Sequence, residues 1–387
     1  MSLVVLVGLV AAGGYAYFRY EWNRVHKVAC AACAVVTDGQ PYNVLLIGSD
    51  SRAGNTGQQA QQFGTQSQVG GQRSDTIKII RVDPALGTAK VLSIPRDTYV
   101  TMSGLPVSSG LTGAQKINTA FNNGPEALVR TIQNTFGIQI NHVIVVDFNG
   151  VIDSVNALGG INLDFRYPVR DDNDGINESG LNITTTGCQP LNGDQVISLS
   201  RSRYYQYYQD GEWQMDPGYD LSRIQRQDTI IEAMIKKAHA TYNPLKIQSL
   251  ISSVASDIEV DKSMTPSMLY DLAERYHAFS SSSLQTFTLP TLGEETSYGS
   301  DVEIVNTAEP NTYVDTITQF LGHAPGAVTT PPLDQYGEPV DVPTPTTEPA
   351  STAPPSTNSS SSTHGSSTAP TTSTTTTTQP DYDPTVC

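Results

Sequence analysis

The sequence predicts an α/β layered domain, and three observations indicate it. Segments rich in Val and Ile alternate with segments of helical character through the middle of the 387-residue chain. Strands that alternate with helices of about 10–15 residues are typical of layered α/β folds. Charged residues follow several strand-like segments, where such folds place their binding sites. The flanking composition completes a four-part division: an anchor at 1–20, a linker at 21–40, the domain at 41–325 and a tail at 326–387.

The domain is predicted to contain strands and helices in alternation. Pro125 follows Gly124 and starts one helix, because proline is favoured at the first helical position, and Gly159 with Gly160 ends the next. Residues 166–190 and the aromatic stretch 204–220 are predicted to be long polar loops, which are more often functional than idle. The predicted strands are 43–48, 76–82, 88–94, 142–147 and 160–165, and the predicted helices are 124–136, 149–158, 222–240, 244–255 and 265–278.

The N-terminal segment predicts a membrane anchor. Residues Leu3 to Phe18 are almost wholly apolar, slightly shorter than the roughly 20 residues that span a bilayer. Cationic residues follow this segment, which by itself would place the rest of the chain in the cytoplasm. The Pro/Thr/Ser-rich tail favours the opposite orientation, because such tails suit extended stalks outside the cell. We therefore expect an uncleaved single-pass anchor in the cell membrane, with the domain extracytoplasmic.

Charge and cysteine content limit the classes of function. The net charge of −16 argues against a nucleic-acid-binding protein. All 22 Lys and Arg lie at or before Arg275, and the tail lacks the apolar periodicity of a folded segment, so it is predicted to be disordered. Cys30 and Cys33 form a lone CxxC, a weak metal or redox signal, and structural cysteines of an exported protein explain it better. Whether Cys188 pairs with one of these or with Cys387 stays open.

A set of charged and amide side chains carries the chemical signal. If 197–203 is extended, Arg201 and Arg203 point to one face, because side chains alternate along a strand. On the helix from Ser222, Arg223 and Gln227 are four residues apart and share a face. Its other face, with Ile224, Ile231, Met234 and Ile235, is predicted to be core. The set comprises Asp50, Arg52, Arg73, Asp75, Arg96, Asp97, Lys116, Arg201, Arg203, Asp220, Arg223 and Gln227.

This combination predicts phosphate chemistry. Several arginines repel one another unless an anion lies between them, and arginine recognises phosphate through planar, bidentate hydrogen bonds. Aspartates beside such a cluster suggest a divalent metal that bridges phosphate oxygens, because Mg²⁺ prefers hard oxygen ligands. Together these are the parts required for phosphoryl transfer. Each motif alone also has an ordinary explanation as a turn, a cap or a solvated strand end.

The ordered motifs resemble the LytR-CpsA-Psr family, closely over residues 40–240 and loosely over 241–325. The motifs are Gly48-Ser49-Asp50-Ser51-Arg52, Arg73-Ser74-Asp75-Thr76, Ile94-Pro95-Arg96-Asp97-Thr98, Lys116-Ile117-Asn118, Leu158-Gly159-Gly160, Leu191-Asn192-Gly193, Arg201-Ser202-Arg203 and Arg223-Ile224-Gln225-Arg226-Gln227. The anchor and the tail fit an actinobacterial type of member. The resemblance implies a central mixed β-sheet flanked by helices, with a hydrophobic pocket for a polyprenyl tail. It also implies a phosphotransferase that moves a glycopolymer from a polyprenyl-pyrophosphate carrier to peptidoglycan through a phosphodiester bond.

The resemblance also implies roles for individual residues. Asp50 and Asp75 match positions that bind Mg²⁺, or Mn²⁺ in its place. Catalytic roles fall to Asp75, Arg96, Arg201 and Arg203, and Asp75 is the first candidate for deprotonating a muramic-acid hydroxyl. Pyrophosphate binding falls to Arg52, Arg73, Lys116, Asp220, Arg223 and Gln227. Two other functions stay open: a pyrophosphatase that hydrolyses the carrier, and a non-catalytic module that binds polyprenyl phosphates.

Overall fold

A mixed seven-stranded β-sheet forms the centre of the described part of the chain. The computed structural model describes residues 19–49, 74–102, 113–240, 255, 257–265, 267–268, 284–296, 299–344 and 380–387. The strand order is β1-β14-β7-β2-β3-β4-β15, where β1 is His26–Val28, β2 Tyr42–Ser49, β3 Ser74–Asp83, β4 Thr88–Ile94, β7 His142–Val146, β14 Ile258–Asp261 and β15 Leu284–Thr288. Parallel and antiparallel neighbours alternate irregularly. The predicted α/β class with a central mixed sheet is confirmed.

Smaller sheets and helices surround this centre. The helices are α1 Pro125–Phe136, α2 Phe148–Ala157, α3 Gly193–Arg201, α4 Tyr219–Ala240 and α5 Tyr313–Leu321, and Ile117–Asn123 is a 3-10 helix. The remaining strands are β5 Tyr99–Met102, β6 Gly113–Lys116, β8 Ile161–Phe165, β9 Val169–Asp171, β10 Asn182–Ile183, β11 Gly187–Leu191, β12 Tyr205–Gln209, β13 Glu212–Met215, β16 Thr291–Glu295, β17 Asp301–Val305 and β18 Thr385–Val386. The predicted strands from 43–48 to 160–165 and the helices at 124–136, 149–158 and 222–240 are confirmed.

Local capping explains where the helices begin. Asp147 accepts a hydrogen bond from the Gly150 amide at the start of α2. Asn192 and Gln195 form a capping box at the start of α3, which satisfies backbone donors that have no partner within the helix. Pro125 opens α1, and Gly137 ends it in the left-handed region at φ 62°. These signals are local in sequence, which is why α1 and α2 could be predicted, whereas the capping box of α3 was not recognised.

The two faces of the central sheet have different neighbours. One face packs with α1, α5 and the 3-10 helix in a core that includes Leu45, Ile47, Ile79 and Phe136, all fully buried. Leu46, Ile80 and Val146 alternate with these residues along the strands and therefore point to the opposite face. That face meets α2, α3 and α4 across a cavity. A second core cluster joins these three helices to β8, β9 and β12.

The predicted linker at 21–40 is wrong as a separate part, because it belongs to the domain. Strand β1 pairs in parallel with β14 at one edge of the central sheet. Trp22 and Val25 are buried beside Val44 and Val260 in a further apolar cluster. Cys30 and Cys33 form a disulfide with Cα atoms 5.3 Å apart. The burial of these apolar side chains against the sheet fixes the segment.

The two predicted polar loops contain strands, so their prediction is wrong in part. Strands β10, β9, β12 and β13 form a four-stranded antiparallel sheet, and β11 pairs with β8. Val169, Tyr205 and Tyr207 alternate with polar residues and bury one face of this sheet. The alternation of apolar and polar residues is present in the sequence. The strands are short and lie among polar residues, so the alternation was not recognised.

The predicted tail at 326–387 is not disordered at its two described ends. Gly326 donates a backbone hydrogen bond to Gly137, and a Cβ at Gly137 would lie only 2.3 Å from the Gly326 oxygen. Leu333 is buried, with 2% of its surface exposed, and its backbone amide donates a hydrogen bond to the Tyr99 carbonyl. At the other end, β18 pairs with β8, and Cys387 forms a disulfide with Cys188. Long-range contacts, which composition does not reveal, hold both ends to the domain.

Other predictions fall outside the described residues. They include the apolar segment 3–18, the stretch 345–379 of the tail, and nearly all of the predicted helices 244–255 and 265–278. Among the described helices, none combines the length and the apolar character needed to cross a membrane.

Replacing Asp261 by asparagine should remove an acid-sensitive part of the stability. Asp261 is 1% exposed and accepts hydrogen bonds from His142 and the Val143 amide, each at 3.0 Å, and from Ser263. Burial raises the pKa of Asp261, but these hydrogen bonds outweigh it and lower the pKa to about 2. The folded-state pKa thus lies below the unfolded one, so the stabilisation is present above about pH 4 and lost as pH falls towards 2.

The measurement is urea unfolding from pH 7 to pH 2.5. We expect Asp261→Asn to lower the free energy of unfolding by about 2 kcal/mol at neutral pH, with the difference shrinking in acid. Asp210→Asn, on an exposed turn, is the control and should change stability by less than about 0.5 kcal/mol. A difference between Asp261→Asn and the wild type that is independent of pH would contradict the assignment.

Candidate active site

A cavity of about 1000 Å³ lies between the central sheet and helices α2, α3 and α4. One part of its wall is polar and charged, and another part is apolar. The polar part includes Asp75, Arg96, Asp97, Lys116, Asn118, Glu178, Arg201, Arg203, Arg223 and Gln227, with Thr76, Ser49 and Ser200. The apolar part consists of Leu46, Ile80, Val146, Phe148, Val151, Ile197, Ile230, Ile231, Met234 and Ile235. The cavity can therefore hold a molecule with one anionic end and one hydrocarbon end.

Asp75 and Arg96 meet because β3 and β4 are antiparallel neighbours. Ile77 pairs with Ile94, which brings the start of β3 and the end of β4 to the same edge of the sheet. The Arg96 guanidinium donates to the Asp75 carboxylate, and its Nε lies 3.6 Å from Asp97 Oδ2. A guanidinium between two carboxylates has a fixed orientation, because its donors lie in one plane.

The charge on Asp75 reflects the surrounding arginines. Burial raises the pKa of this carboxyl, but Arg96, Arg223 and Arg203 together bring its pKa below the ordinary value. Asp75 is therefore anionic at neutral pH. Three arginines from three separate parts of the sequence, after β4, after α3 and on α4, act on one carboxylate. The tertiary structure thus brings four of the predicted site residues together.

Lys116 extends the polar wall on the side of Asp97. Its ammonium lies 3.3 Å from Asp97 Oδ1. The adjacent Asn118 donates its backbone amide to the Arg96 carbonyl at 3.1 Å, and Asn118 is buried. Strand β6, which pairs antiparallel with β5, leads the chain into this contact. The loop that carries Arg96 is thus held by a backbone bond as well as by ion pairs.

Arg201 and Arg203 both line the cavity, but the reason differs from the prediction. Residues up to Arg201 form α3, so the extended conformation considered for 197–203 is wrong. The burial of Val196, Ile197 and Leu199 favours the helix over the alternating pattern that a strand would need. The helix ends at Ser202, whose hydroxyl donates to Asp171 Oδ2 at 2.7 Å. Arg201 lies over the Phe148 ring, with Cζ 5.0 Å from its centroid.

Helix α4 supplies both the polar and the apolar wall. Arg223 and Gln227 lie one turn apart and line the cavity, as predicted. Gln227 accepts from the Thr76 hydroxyl at 3.1 Å and donates to the Ser200 carbonyl at 3.1 Å, which joins β3 to α3. Ile231, Met234 and Ile235 line the same cavity, so they are not ordinary core as predicted, although Met234 also packs against the second core cluster. An apolar side chain that faces a ligand space has the same sequence pattern as one that faces a core.

Sequence reasoning missed several side chains of the cavity. Lys78, although 1% exposed, lines it and pairs with Asp228 Oδ1 at 2.6 Å and the Ser93 hydroxyl at 2.7 Å. A lysine in the otherwise apolar run from Ile77 to Ile80 was the available signal. Asp147 also lines the cavity. Burial, with repulsion from Asp257 and Asp153, raises the pKa of Asp147 to about 6 despite the hydrogen bond from Gly150.

Four predicted site residues cannot be placed by their side chains. Asp50, Arg52 and Arg73 lie outside the described residues. Asp220 lies in the first turn of α4, and its side chain also lies outside the described part. The proposed roles of these four residues therefore stay predictions.

The cavity wall offers a carboxylate donor that suits a divalent metal. No cluster of three or more His, Cys, Asp or Glu side chains that could hold a metal is found within the described ranges. Asp75 nevertheless offers an anionic oxygen donor in the wall, and Mg²⁺ is often held by one or two carboxylates together with substrate phosphates. Asp75 can therefore supply one ligand to a Mg²⁺ ion whose other ligands come from a phosphorylated substrate.

Comparisons with known proteins agree with this architecture. A family model described as the LytR_cpsA_psr family matches residues 19–318. The polyisoprenyl-teichoic acid–peptidoglycan teichoic acid transferase TagV of Bacillus subtilis is 28% identical over 75% of this chain and 68% of its own length. The probable cell wall biosynthesis protein LcpB of Corynebacterium glutamicum is 28% identical over 66% of this chain and 56% of its own length.

A solved structure supports the fold. The LytR-Csp2A-Psr enzyme from Actinomyces oris superposes with a TM-score of 0.56 over 73% of this chain and 92% of its own. At 23% sequence identity, this likeness concerns the fold alone.

Proposed function

The chain belongs to the LytR-CpsA-Psr family, and we propose that it is a phosphotransferase that moves a glycopolymer from a polyprenyl-pyrophosphate carrier to peptidoglycan. One observation carries this proposal: a single cavity joins a cluster of cationic side chains to an apolar wall. A polyprenyl pyrophosphate has the same two-part character. The relatives named as teichoic acid transferases support the reaction class.

The carrier lies with its pyrophosphate against Arg96, Lys116, Arg201, Arg203 and Arg223. Guanidinium groups suit this task because each offers several donors to phosphate oxygens and stays charged at all relevant pH values. The prenyl chain extends along Ile231, Met234 and Ile235 of α4 and towards Leu46 and Ile80 of the sheet. The substrate orientation follows from this division of the wall.

The transfer is a displacement at phosphorus. A hydroxyl of the peptidoglycan sugar forms a bond to the sugar-proximal phosphorus, and the bond from that phosphorus to the bridging oxygen breaks. Polyprenyl phosphate leaves with the bonding electrons, and the arginine cluster stabilises the charge that develops on it. The hydroxyl proton passes to a base. The lowered pKa of Asp75 favours a role in orienting Arg96 and binding metal over that of proton acceptor.

We also propose Mg²⁺ as the cofactor, held by Asp75 with Asp50 and by the substrate. When bound there, the ion neutralises charge on the pyrophosphate oxygens. The same proposal includes an N-terminal membrane anchor and a domain that lies outside the cytoplasm. Two disulfides, Cys30–Cys33 and Cys188–Cys387, support it, because disulfides persist mainly in oxidising compartments.

The proposal is tested with the purified full-length chain. The chain is incubated with a short oligosaccharide on polyprenyl pyrophosphate and with peptidoglycan fragments, with Mg²⁺ or with EDTA, and the products are analysed by mass spectrometry. A phosphodiester-linked adduct that forms only with metal is the expected result. Hydrolysed carrier without adduct would indicate a pyrophosphatase, and intact carrier bound without turnover would indicate a binding module.

Replacing Ile231 by aspartate should separate recognition of the lipid from recognition of the pyrophosphate. The side chain lines the apolar wall, one turn along α4 from Gln227. We expect geranylgeranyl pyrophosphate to bind about 100-fold more weakly, because an unpaired carboxylate against hydrocarbon costs several kcal/mol. Binding of inorganic pyrophosphate should change much less. Titration calorimetry measures both.

Ala238→Asp is the matched control for this experiment. Ala238 is exposed on the same helix and does not line the cavity. The Ala238→Asp variant should bind geranylgeranyl pyrophosphate and inorganic pyrophosphate as the wild type does. Equal weakening of both ligands by Ile231→Asp would place the hydrocarbon chain elsewhere.

A further inference from the structure

The segment 380–387 packs on the domain next to the chain segments that carry Arg201, Arg203 and Arg223, the arginine wall of the cavity. Thr385 and Val386 pair with Asp164 and Leu163 of β8. The Tyr382 ring stacks on Tyr207, with centroids 4.4 Å apart and the planes 5° from parallel. This segment is separated from the remainder of the described domain by the Ser/Thr-rich stretch, yet its contacts resemble those of a core strand.

The centre of this contact is a buried ion pair between Asp383 and Arg226. Asp383 Oδ1 lies 2.9 Å from Arg226 Nη1, and the same nitrogen lies 2.7 Å from Asp216 Oδ2. Arg226 is fully buried, and Asp383 is 2% exposed. Burying such charges is costly, and replacement by apolar residues is often no less stable. Stability alone therefore explains this arrangement poorly.

Arg226 connects Asp383 to the site. Its Nη2 donates to the Ser202 carbonyl at 3.2 Å. Ser202 is fully buried and lies between Arg201 and Arg203, which both line the cavity. Its hydroxyl is held by Asp171. On α4, Arg226 stands between Arg223 and Gln227, whose side chains also line the cavity. One buried guanidinium thus supports both segments of the arginine wall.

We infer that Asp383 is a positioning residue for the transfer reaction: through Arg226 it fixes Ser202 and thereby sets where Arg201 and Arg203 meet the pyrophosphate. The inference rests on the proposed function. Asp383 and Asp216 together hold Nη1 of Arg226, so Nη2 stays directed at the Ser202 carbonyl. The Tyr205 ring, 4.2 Å from Arg226 Cζ, closes the remaining side, and its hydroxyl donates to the Tyr382 carbonyl at 3.0 Å.

The pH profile offers an independent readout. The groups that face Asp383 are Arg226 and Asp216, with the hydroxyls of Tyr205 and Tyr382. Burial raises the pKa of Asp383 to about 6 in spite of Arg226. The carboxylate that orients Arg226 is therefore lost below about pH 6. Asp147, whose pKa also lies near 6, titrates in wild type and variant alike, so the difference between their profiles isolates Asp383.

The test compares Asp383→Asn with Asp381→Asn in the full-length chain. Asp381 lies in the same segment but forms an exposed ion pair with Arg166. We expect Asp383→Asn to lower kcat about 10- to 100-fold, because small misplacements of positioning groups have effects of this size. Amides near residues 201–204 should exchange hydrogen faster, and kcat should fall less steeply than in the wild type as the pH drops through 6. The Cys188–Cys387 disulfide should remain, and Asp381→Asn should behave as wild type.

Unchanged kcat in Asp383→Asn, or a loss fully explained by a smaller folded fraction, would overturn the inference. If Asp383→Asn does not fold, Arg226→Lys is the variant that tests the inference. It keeps a positive charge between the two carboxylates but removes the fork that reaches Ser202. It should lower kcat by a similar factor. If the wild type binds geranylgeranyl pyrophosphate but transfers nothing, the proposed function fails separately. In that case, amide hydrogen exchange at residues 201–204 and the affinity for pyrophosphate are measured in Asp383→Asn. Wild-type values for both would overturn the inference.

Discussion

Replacing Arg96 by alanine is expected to lower the rate of glycopolymer transfer by about 100- to 1000-fold, the usual effect of removing a donor from a preorganised charge-stabilising site. Arg96 joins Asp75 and Asp97 at the polar wall, and its charge is a principal reason for the low pKa of Asp75. Without it, the pyrophosphate loses a cationic contact and Asp75 loses its orientation. The measurement is kcat by mass spectrometry of the adduct.

The fold should survive this substitution, since Asp75 is 25% exposed and stays near Arg203 and Arg223. Arg130→Ala is the matched control, because Arg130 forms an exposed i,i+4 pair with Glu126 on α1, outside the cavity wall. That variant should transfer at the wild-type rate. Normal transfer by Arg96→Ala would remove Arg96 from the mechanism.

Loss of the Cys188–Cys387 disulfide should have the largest effect on stability. The cross-link closes a loop with a sequence separation of 199, whereas Cys30–Cys33 spans 3. In the chain-entropy account, the longer loop contributes about 5 kcal/mol and the shorter about 2 kcal/mol. Urea unfolding of Cys188→Ser/Cys387→Ser, compared with Cys30→Ser/Cys33→Ser, measures the difference.

The first double variant should also release the 380–387 segment more often, because its other anchors are a short strand and side-chain contacts. Limited proteolysis of the Ser/Thr-rich stretch would detect this release in the variant directly and in the wild type after reduction of the disulfide. Equal loss of stability in both double variants would show that loop length does not set the contribution. Retention of the segment after reduction would show that the Asp383–Arg226 pair and β18 suffice to hold it.

Much of the fold was accessible from local patterns. A strand such as 142–147 contains a continuous Val/Ile run, and helices such as α1 carry their own start and stop residues. These signals act over a few residues, so a single sequence displays them. The short strands β9 and β12 escaped, because two or three buried positions among polar neighbours do not form a recognisable period.

The candidate site was only partly accessible. Asp75, Arg96, Lys116, Arg201, Arg203, Arg223 and Gln227 were selected by residue type and by family resemblance, and the described structure places all of them at one cavity. Lys78 and Asp147 were missed because one lies inside a strand and the other had the ordinary role of a helix cap. Ile231 and Met234 were assigned to the core, because sequence does not distinguish a core from a ligand space.

By itself, the sequence determined the α/β class, the main helices and strands, and the types of charged residue available for phosphate chemistry. The tertiary structure alone decided which cysteines pair, that residues 21–40 and 380–387 belong to the domain, and that Arg226 faces Asp383 while its neighbours Arg223 and Gln227 face the cavity. Local structure follows from interactions between residues close in the chain. Disulfide partners, buried ion pairs and cavity walls join residues up to 199 positions apart, and only the folded chain brings them together.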